Sequence, residues 1–178
     1  MKLVCLDNHA LIWGIKEEAT DGQELMIPRA KAFIESLDNK NYGVLIPTIV
    51  IGEFLMRVPS DMHAIVMNLF NRSFIIAPFD MIAASKFAEI WQNKKSQQIA
   101  DELFKSGRTR EELKADRMIV AIAVSRRAEC IYSHDKALKA FAQGYIDVKE
   151  IPFISKQASA FETDKQDWGK LPNKMGEP

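Results

Sequence analysis

Apolar and polar positions along the chain alternate between two periods. Short, almost continuous apolar runs appear as KLVCL, YGVLIP, FIIAP, ECIYS and VKEIPF. Runs of this kind are expected for strands covered on both faces. Between them the spacing turns helical. PRAKAFIESL places Pro28 at a first helical position, where its missing N–H costs nothing. DMHAIVMNLF and MIAASKFAEIWQ also have helical spacing, and REELKADRMIVAIAVSRR is the clearest case. Strands alternating with helices predict an α/β fold with a parallel sheet. No internal repeat is visible.

Two segments stand apart from this alternation. QNKKSQQIADELFKSGRT is polar and predicts a helical insertion over about residues 93–109, stopping at Gly107, a residue suited to ending a helix. The stretch 155–178 is a polar tail with little apolar content beyond Phe161, Trp168 and Leu171. Residues 1–154 are therefore expected to form one domain and 155–178 an appendage.

The totals narrow the function classes. The chain has 178 residues, 47% of them hydrophobic and 27% charged, enough to bury a full core. Lys plus Arg is 24 and Asp plus Glu is 24, so coating nucleic acid by bulk charge is excluded and any such contact must be local. Cys5 and Cys130 lie in strand-like runs and read as buried thiols of a reducing compartment, not as a disulfide framework. Asp7 and Asn8 cut the first apolar run before it reaches the length of a signal-peptide core. No apolar stretch is long enough to span a membrane. The expected location is the cytoplasm.

Several acids are hard to explain by folding alone. TREE reads as a capping box, with Thr109 as N-cap and Glu112 at the third position. Counting 100° per residue from Leu113, Val120 and Val124 fall within about 20° of it. Ile119 and Ala123 widen that arc, and Asp116 falls inside it, while Lys114, Arg117, Met118 and Ser125 take the other side. An inward carboxylate must find a partner or shift its pKa. Glu53 has Ile49, Val50, Met56 and Arg57 at helical spacing, so it points somewhere dry or pairs with Arg57 at i,i+4. Asp135 follows ECIYS and suits an N-cap for KALKAFA. Asp80 is explained as a cap in the same way. Asp7 and Asp135 both sit just past strand carboxyl ends, where open α/β sheets bind ligands. His9 reads as the start of the first helix. Four converging carboxylates need a counter-charge, which hard cations such as Mg²⁺ or Mn²⁺ supply through oxygen ligands. Such clusters suit metal-assisted phosphodiester hydrolysis.

These residues in this order resemble the PIN-domain family of metal-dependent ribonucleases, and within it the VapC-type toxins of toxin–antitoxin pairs. The resemblance rests on VCLDNHALIW (Asp7), PTIVIGEFL (Glu53), KADRMIVAIAVS (Asp116) and IYSHDKALKAF (Asp135), and spans roughly Met1 to Phe153. Each motif alone is weak; four in order, each in the right strand or helix context, are specific. The chain departs from the family at Asn8, where small hydroxyl residues are common, and in its longer insertion and tail. The resemblance implies a five-stranded parallel sheet of order 3-2-1-4-5 with helices on both faces, placing Cys5 near Cys130. It implies a Mg²⁺- or Mn²⁺-dependent endoribonuclease in which Asp7, Glu53, Asp116 and Asp135 hold metal, directly or through water. Asn8 and Ser133 are candidates to orient the acids. Arg108, Arg110, Lys114 and Arg117 are candidates to hold RNA phosphates. A small antitoxin partner and a homodimer are implied by the same resemblance. The rival expectations are a non-toxin PIN nuclease in RNA processing, a PIN-like module that binds RNA or protein without cutting, and a phosphoryl-transfer or receiver-type domain. The last lacks a suitable lysine after the final strands.

Overall fold

The first apolar run becomes strand β1, Lys2–Leu6, at the centre of the sheet. The chain then forms α1 (Asn8–Leu11), a π-helical turn (Ile12–Lys16), α2 (Met26–Asn39), β2 (Tyr42–Pro47) and α3 (Thr48–Leu55). A 3₁₀ turn at Ser60–Met62 leads into α4 (His63–Ser73), β3 (Ile75–Ala77) and α5 (Met81–Gln92). Then come α6 (Lys94–Lys105), α7 (Arg110–Ser125), β4 (Cys130–Tyr132), α8 (Lys136–Ala142) and β5 (Asp147–Lys149). The structure, a computed structural model, describes residues 1–154, so the polar tail 155–178 lies outside the described residues.

All five strands are parallel, in the order β3-β2-β1-β4-β5. Val4 pairs with Val44 and Cys5 with Leu45 on one side of β1, while Cys5 pairs with Ile131 and Leu6 with Tyr132 on the other. The central strands carry apolar residues at successive positions because helices cover both faces. Cys5, Leu6, Leu45, Ile46 and Ile131 are fully buried. Cys5 and Cys130 are free, buried thiols on adjacent strands. Among the described residues no helix is long and apolar enough to cross a membrane.

Three local expectations are corrected. Helix α2 starts at Met26, so Pro28 is its third residue, not its first; the whole first turn lacks intrahelical N–H partners, so proline fits there equally well. Strand β5 covers only Asp147–Lys149 of the run VKEIPF. Beyond it the Ile151 N–H leaves the ladder and donates to His134 Nε2 (3.2 Å), and Pro152 has no N–H to offer. The π-helical turn after α1 has no counterpart in the apolar pattern. It brings Gly14 so close to α2 that a Cβ there would lie 2.5 Å from Ile34 Cδ1.

The polar insertion is helical. Asn93 caps α6 by accepting from the Lys95 and Ser96 N–H groups (2.9 and 3.2 Å), and the helix ends ahead of Gly107, which has φ +100°. The TREE capping box forms as read. The Glu112 N–H donates to Thr109 Oγ1 (3.2 Å), and the Thr109 N–H donates to Glu112 Oε2 (2.9 Å).

Candidate metal centre

The carboxyl ends of β1 and β4 lie side by side, and the chain turns into a helix just beyond each. Asp7 follows β1 directly and is 5% exposed. Its backbone N–H donates to Tyr132 O (3.1 Å), which ties the end of β1 to the end of β4. Ser133 follows β4, also buried. Its hydroxyl donates to Asp7 Oδ2 (2.6 Å) and accepts from the Asp135 N–H (3.0 Å). One hydroxyl therefore fixes a carboxylate on one strand end and the backbone of a second acid on the next. Asp135 Oδ1 caps α8, accepting from the Ala137 and Leu138 N–H groups (2.6 and 3.2 Å).

Helices α3 and α7 close the other sides. Glu53 projects from α3 and Asp116 from α7. With Asp7 and Asp135 they line one cavity of about 540 Å³, which also takes in Asn8, His9, Arg57, Arg108 and Glu112. Asp116 is buried, and its Oδ2 has no hydrogen-bond partner; Asn8 Oδ1 is also buried and unpartnered. Oxygen atoms in that condition are uncommon in folded proteins and call for a ligand. Among the described residues, however, no three His, Cys, Asp or Glu side chains are placed, as they stand, to hold a metal ion together. The donors are hard oxygens around one space, which suits a hard divalent cation, and unneutralised carboxylates repel one another.

That repulsion shows in the acids' affinity for protons. Burial pushes Asp116 up to about 8, with the charges of Asp135 and Asp7 adding to the rise. Burial, then Asp7, pushes Glu53 up to about 7. Asp135 goes the other way. Burial raises it, but the Arg108 guanidinium and the α8 amides outweigh burial and hold it below the usual carboxylate range. Arg108 Nη2 donates to Asp135 Oδ2 at 2.5 Å. The counter-charge missing around Asp116 is thus supplied at Asp135 by the protein's own arginine.

The structure sorts the basic residues differently from the sequence reading. Arg108 lies in the cavity. Arg110 and Lys114 are exposed and lie outside it. Arg117 is 3% exposed, and its assignment as a phosphate-holding residue is corrected. Its guanidinium lies between the rings of Trp91 (4.6 Å) and Phe141 (4.3 Å). Nε donates to Ser96 Oγ (3.0 Å) and Nη2 to Ser96 O (2.8 Å). Its guanidinium is engaged by these contacts and is not free to hold a phosphate. Around Arg117, the side of α7 that the helical count left for solvent is covered by α5, α6 and α8.

Two cavity residues were passed over. His9, read only as a helix start, lines the cavity with Nδ1 3.5 Å from Asp7 Oδ2, and the Asp7 carboxylate raises its affinity for a proton. Its ring packs beside Trp13, which meets His134 edge-on. Arg57, one of the two alternatives offered for Glu53, makes no ion pair among the described residues and faces the same cavity. The sequence signal for both was position alone: one is two residues after Asp7, the other one turn after Glu53.

No family model and no curated protein sequence matches the chain. Its fold does match solved structures. One is the crystal structure of VapBC2 from Rickettsia felis bound to a DNA fragment from their promoter, with a TM-score of 0.55 and 14% identity, covering 83% of this chain and 98% of that one. At that identity the likeness is one of fold, and the fold is the five-stranded parallel architecture expected from the PIN resemblance.

Proposed function

We propose that this protein is a Mg²⁺- or Mn²⁺-dependent endoribonuclease of the PIN type, and the toxin of a toxin–antitoxin pair. The observation that carries the reading is the convergence of Asp7, Glu53, Asp116 and Asp135 from four separate segments into one cavity, with Asp116 Oδ2 buried and unpartnered. The toxin part draws on the similarity of fold to a chain of the VapBC2 complex, with a small antitoxin as partner and a homodimer as the assembly.

Asp7, Asp116 and Glu53 would hold the cation, with Asp135 beside them. A divalent cation bound among them supplies Lewis acidity and lowers the pKa of water for attack on a phosphodiester. The protein's own contribution is to orient and to screen. Ser133 holds Asp7 in one rotamer, as supporting hydrogen bonds commonly do for ligating carboxylates. Arg57 is unpaired at the cavity wall and is placed to meet a phosphate of the incoming strand.

The test is cleavage of a structured RNA by the purified protein with Mg²⁺ or Mn²⁺, against the same reaction in EDTA. Asp7→Asn and Asp116→Asn are each expected to lower the rate by at least about a hundredfold, and Asp116→Asn to abolish the heat of Mn²⁺ binding. Cleavage that persists in EDTA or in both variants removes the mechanism.

One observation favours a second reading, a PIN-like module that binds RNA without cutting it. Arg108 already occupies Asp135, as a built-in substitute for a cation. The readings separate on Arg108→Gln. If the acids bind metal, loss of the competing guanidinium tightens Mn²⁺ binding by about tenfold, the effect of removing one nearby like charge from a partly buried site. If neither the wild type nor Arg108→Gln binds Mn²⁺ in calorimetry, the non-cutting module is the better account.

A further inference from the structure

The insertion helix α6 builds a second cavity that the acid site does not use. It is a groove of about 370 Å³ between the end of α5, α6 and the first turns of α7, lined by Trp91, Gln97, Phe104, Arg110 and Leu113 among others. Trp91 is 43% exposed and Phe104 50% exposed. Trp91 is one wall of the Arg117 cage that anchors α6 through buried Ser96, whereas Phe104 stands outside that cage. The Arg110 guanidinium lies over the Phe104 ring, 5.3 Å from its centroid. An exposed ring beside an exposed guanidinium offers a stacking surface for a base and a cation for its phosphate.

The groove and the acid cavity lie on different faces of the amino end of α7. Arg108, Glu112 and Asp116 face the acid cavity, whereas Arg110, Leu113 and Arg117 line the groove. A strand lying over the amino end of α7 therefore reaches both. Lys94, Lys95, Lys105 and Lys114 are exposed on the same elements and make no ion pair among the described residues. The acids of α6 and α7 are Asp101, Glu102, Glu111, Glu112 and Asp116, the last two facing the acid cavity. A groove for a partner helix would be lined mainly by apolar side chains. Here Gln97, Asp101 and Arg110 interrupt the rings.

We propose that this groove is a single-strand RNA contact, in which unpaired bases flanking the phosphate at the acid cavity stack on Phe104 and Trp91 while Arg110 holds the backbone. The proposal rests on the ribonuclease reading and gives the insertion its task, selecting unpaired over paired RNA. Duplex bases are already stacked and cannot use the rings.

The probe is a fluorescein-labelled 12-nucleotide oligouridylate with 2′-O-methyl riboses, which resists cleavage, read by fluorescence anisotropy in Mg²⁺ buffer. The same strand paired to its complement is the control. Phe104→Ala is expected to weaken single-strand binding about fivefold or more and leave the duplex unchanged, and Phe104→Trp to restore it. Arg110→Gln is expected to weaken binding and to make the logarithmic salt dependence shallower by about 0.7. Both side chains are exposed, so unchanged circular dichroism melts are expected for both variants. Single-strand affinity that is indifferent to Phe104 and Arg110 overturns the proposal and points to a protein occupant. Equal losses on single strand and duplex overturn it in favour of plain charge attraction. A wild-type protein that binds neither probe overturns the ribonuclease reading itself.

Discussion

In metal-free buffer the protein is expected to lose stability steadily as pH rises from about 4 to about 8, and Asp116→Asn is expected to remove most of that loss. Asp116 titrates near 3.8 when unfolded and at about 8 in the folded protein, because burial and the neighbouring acids disfavour its charge. Between those values the folded state holds a proton that the unfolded state has released, so each added pH unit favours unfolding. The cost is absent below about pH 4, grows through the window and is complete above about 8. One proton contributes ~1.4 kcal/mol per pH unit, so the full window is on the order of 5 kcal/mol. That is a large share of a typical domain's stability. Glu53, raised from 4.5 to about 7, adds a loss of the same sign over the narrower window between those values. Asp135 has the opposite sign, because its affinity for protons is lowered by Arg108 and the α8 amides against burial. Its contribution is present above the unfolded carboxylate range and is lost on acidification. Urea melts in EDTA at pH 5, 7 and 9 measure the balance. A wild-type profile as flat as that of Asp116→Asn would show that Asp116 ionises freely. Mn²⁺ is expected to restore stability at pH 9 in the wild type only.

The second large effect is expected at Arg117. Replacing it by Ala takes a guanidinium from between two rings, leaves Ser96 O and Oγ without their donors and opens a void at the junction of α5, α6, α7 and α8. The combined loss is about 3–5 kcal/mol, which for a domain of this size lowers Tm by about 10 °C. Arg117→Lys keeps the charge but cannot fork to both Ser96 oxygens or stack as a plane, so it recovers only part of the loss. Limited proteolysis is expected to cut first within α6 in both variants, because the cage is what pins that helix. A Tm within a degree or two of wild type for Arg117→Ala would show that Ser96 and the rings hold α6 without it.

Arg117 also marks the boundary of what the sequence makes legible. The strands, their parallel arrangement and the acids at their carboxyl ends follow from local runs of apolar residues, because a strand buried on both faces leaves an unmistakable pattern. Asp116 could be placed by counting along one helix, since α7 buries a single broad stripe around it. The same count put Arg117 on the solvent side. What covers that side is Trp91 and Ser96 from one neighbouring stretch and Phe141 from another, and no periodicity within α7 encodes them. The Glu53–Arg57 pair failed for a related reason. Spacing of i,i+4 makes two charges neighbours on an isolated helix, but here both side chains line the cavity without forming an ion pair. Asp135 reads as either a cap or a site acid; in the structure one oxygen caps α8 and the other accepts from Arg108 at the cavity wall.

The sheet order also fixes when the site can exist. Strand β1 finds its first neighbour, β2, within the next few dozen residues, but its other neighbour is β4. The hydroxyl that orients Asp7 belongs to a residue 126 positions later. A chain emerging from the ribosome folds from its amino end, so it first displays β3, β2 and β1 with Asp7 and Glu53 alone. Asp116, Ser133 and Asp135 arrive together later, as α7, β4 and α8 add to the open edge of β1. Until those elements are made, the cavity lacks two of its four acids and the hydroxyl that fixes a third.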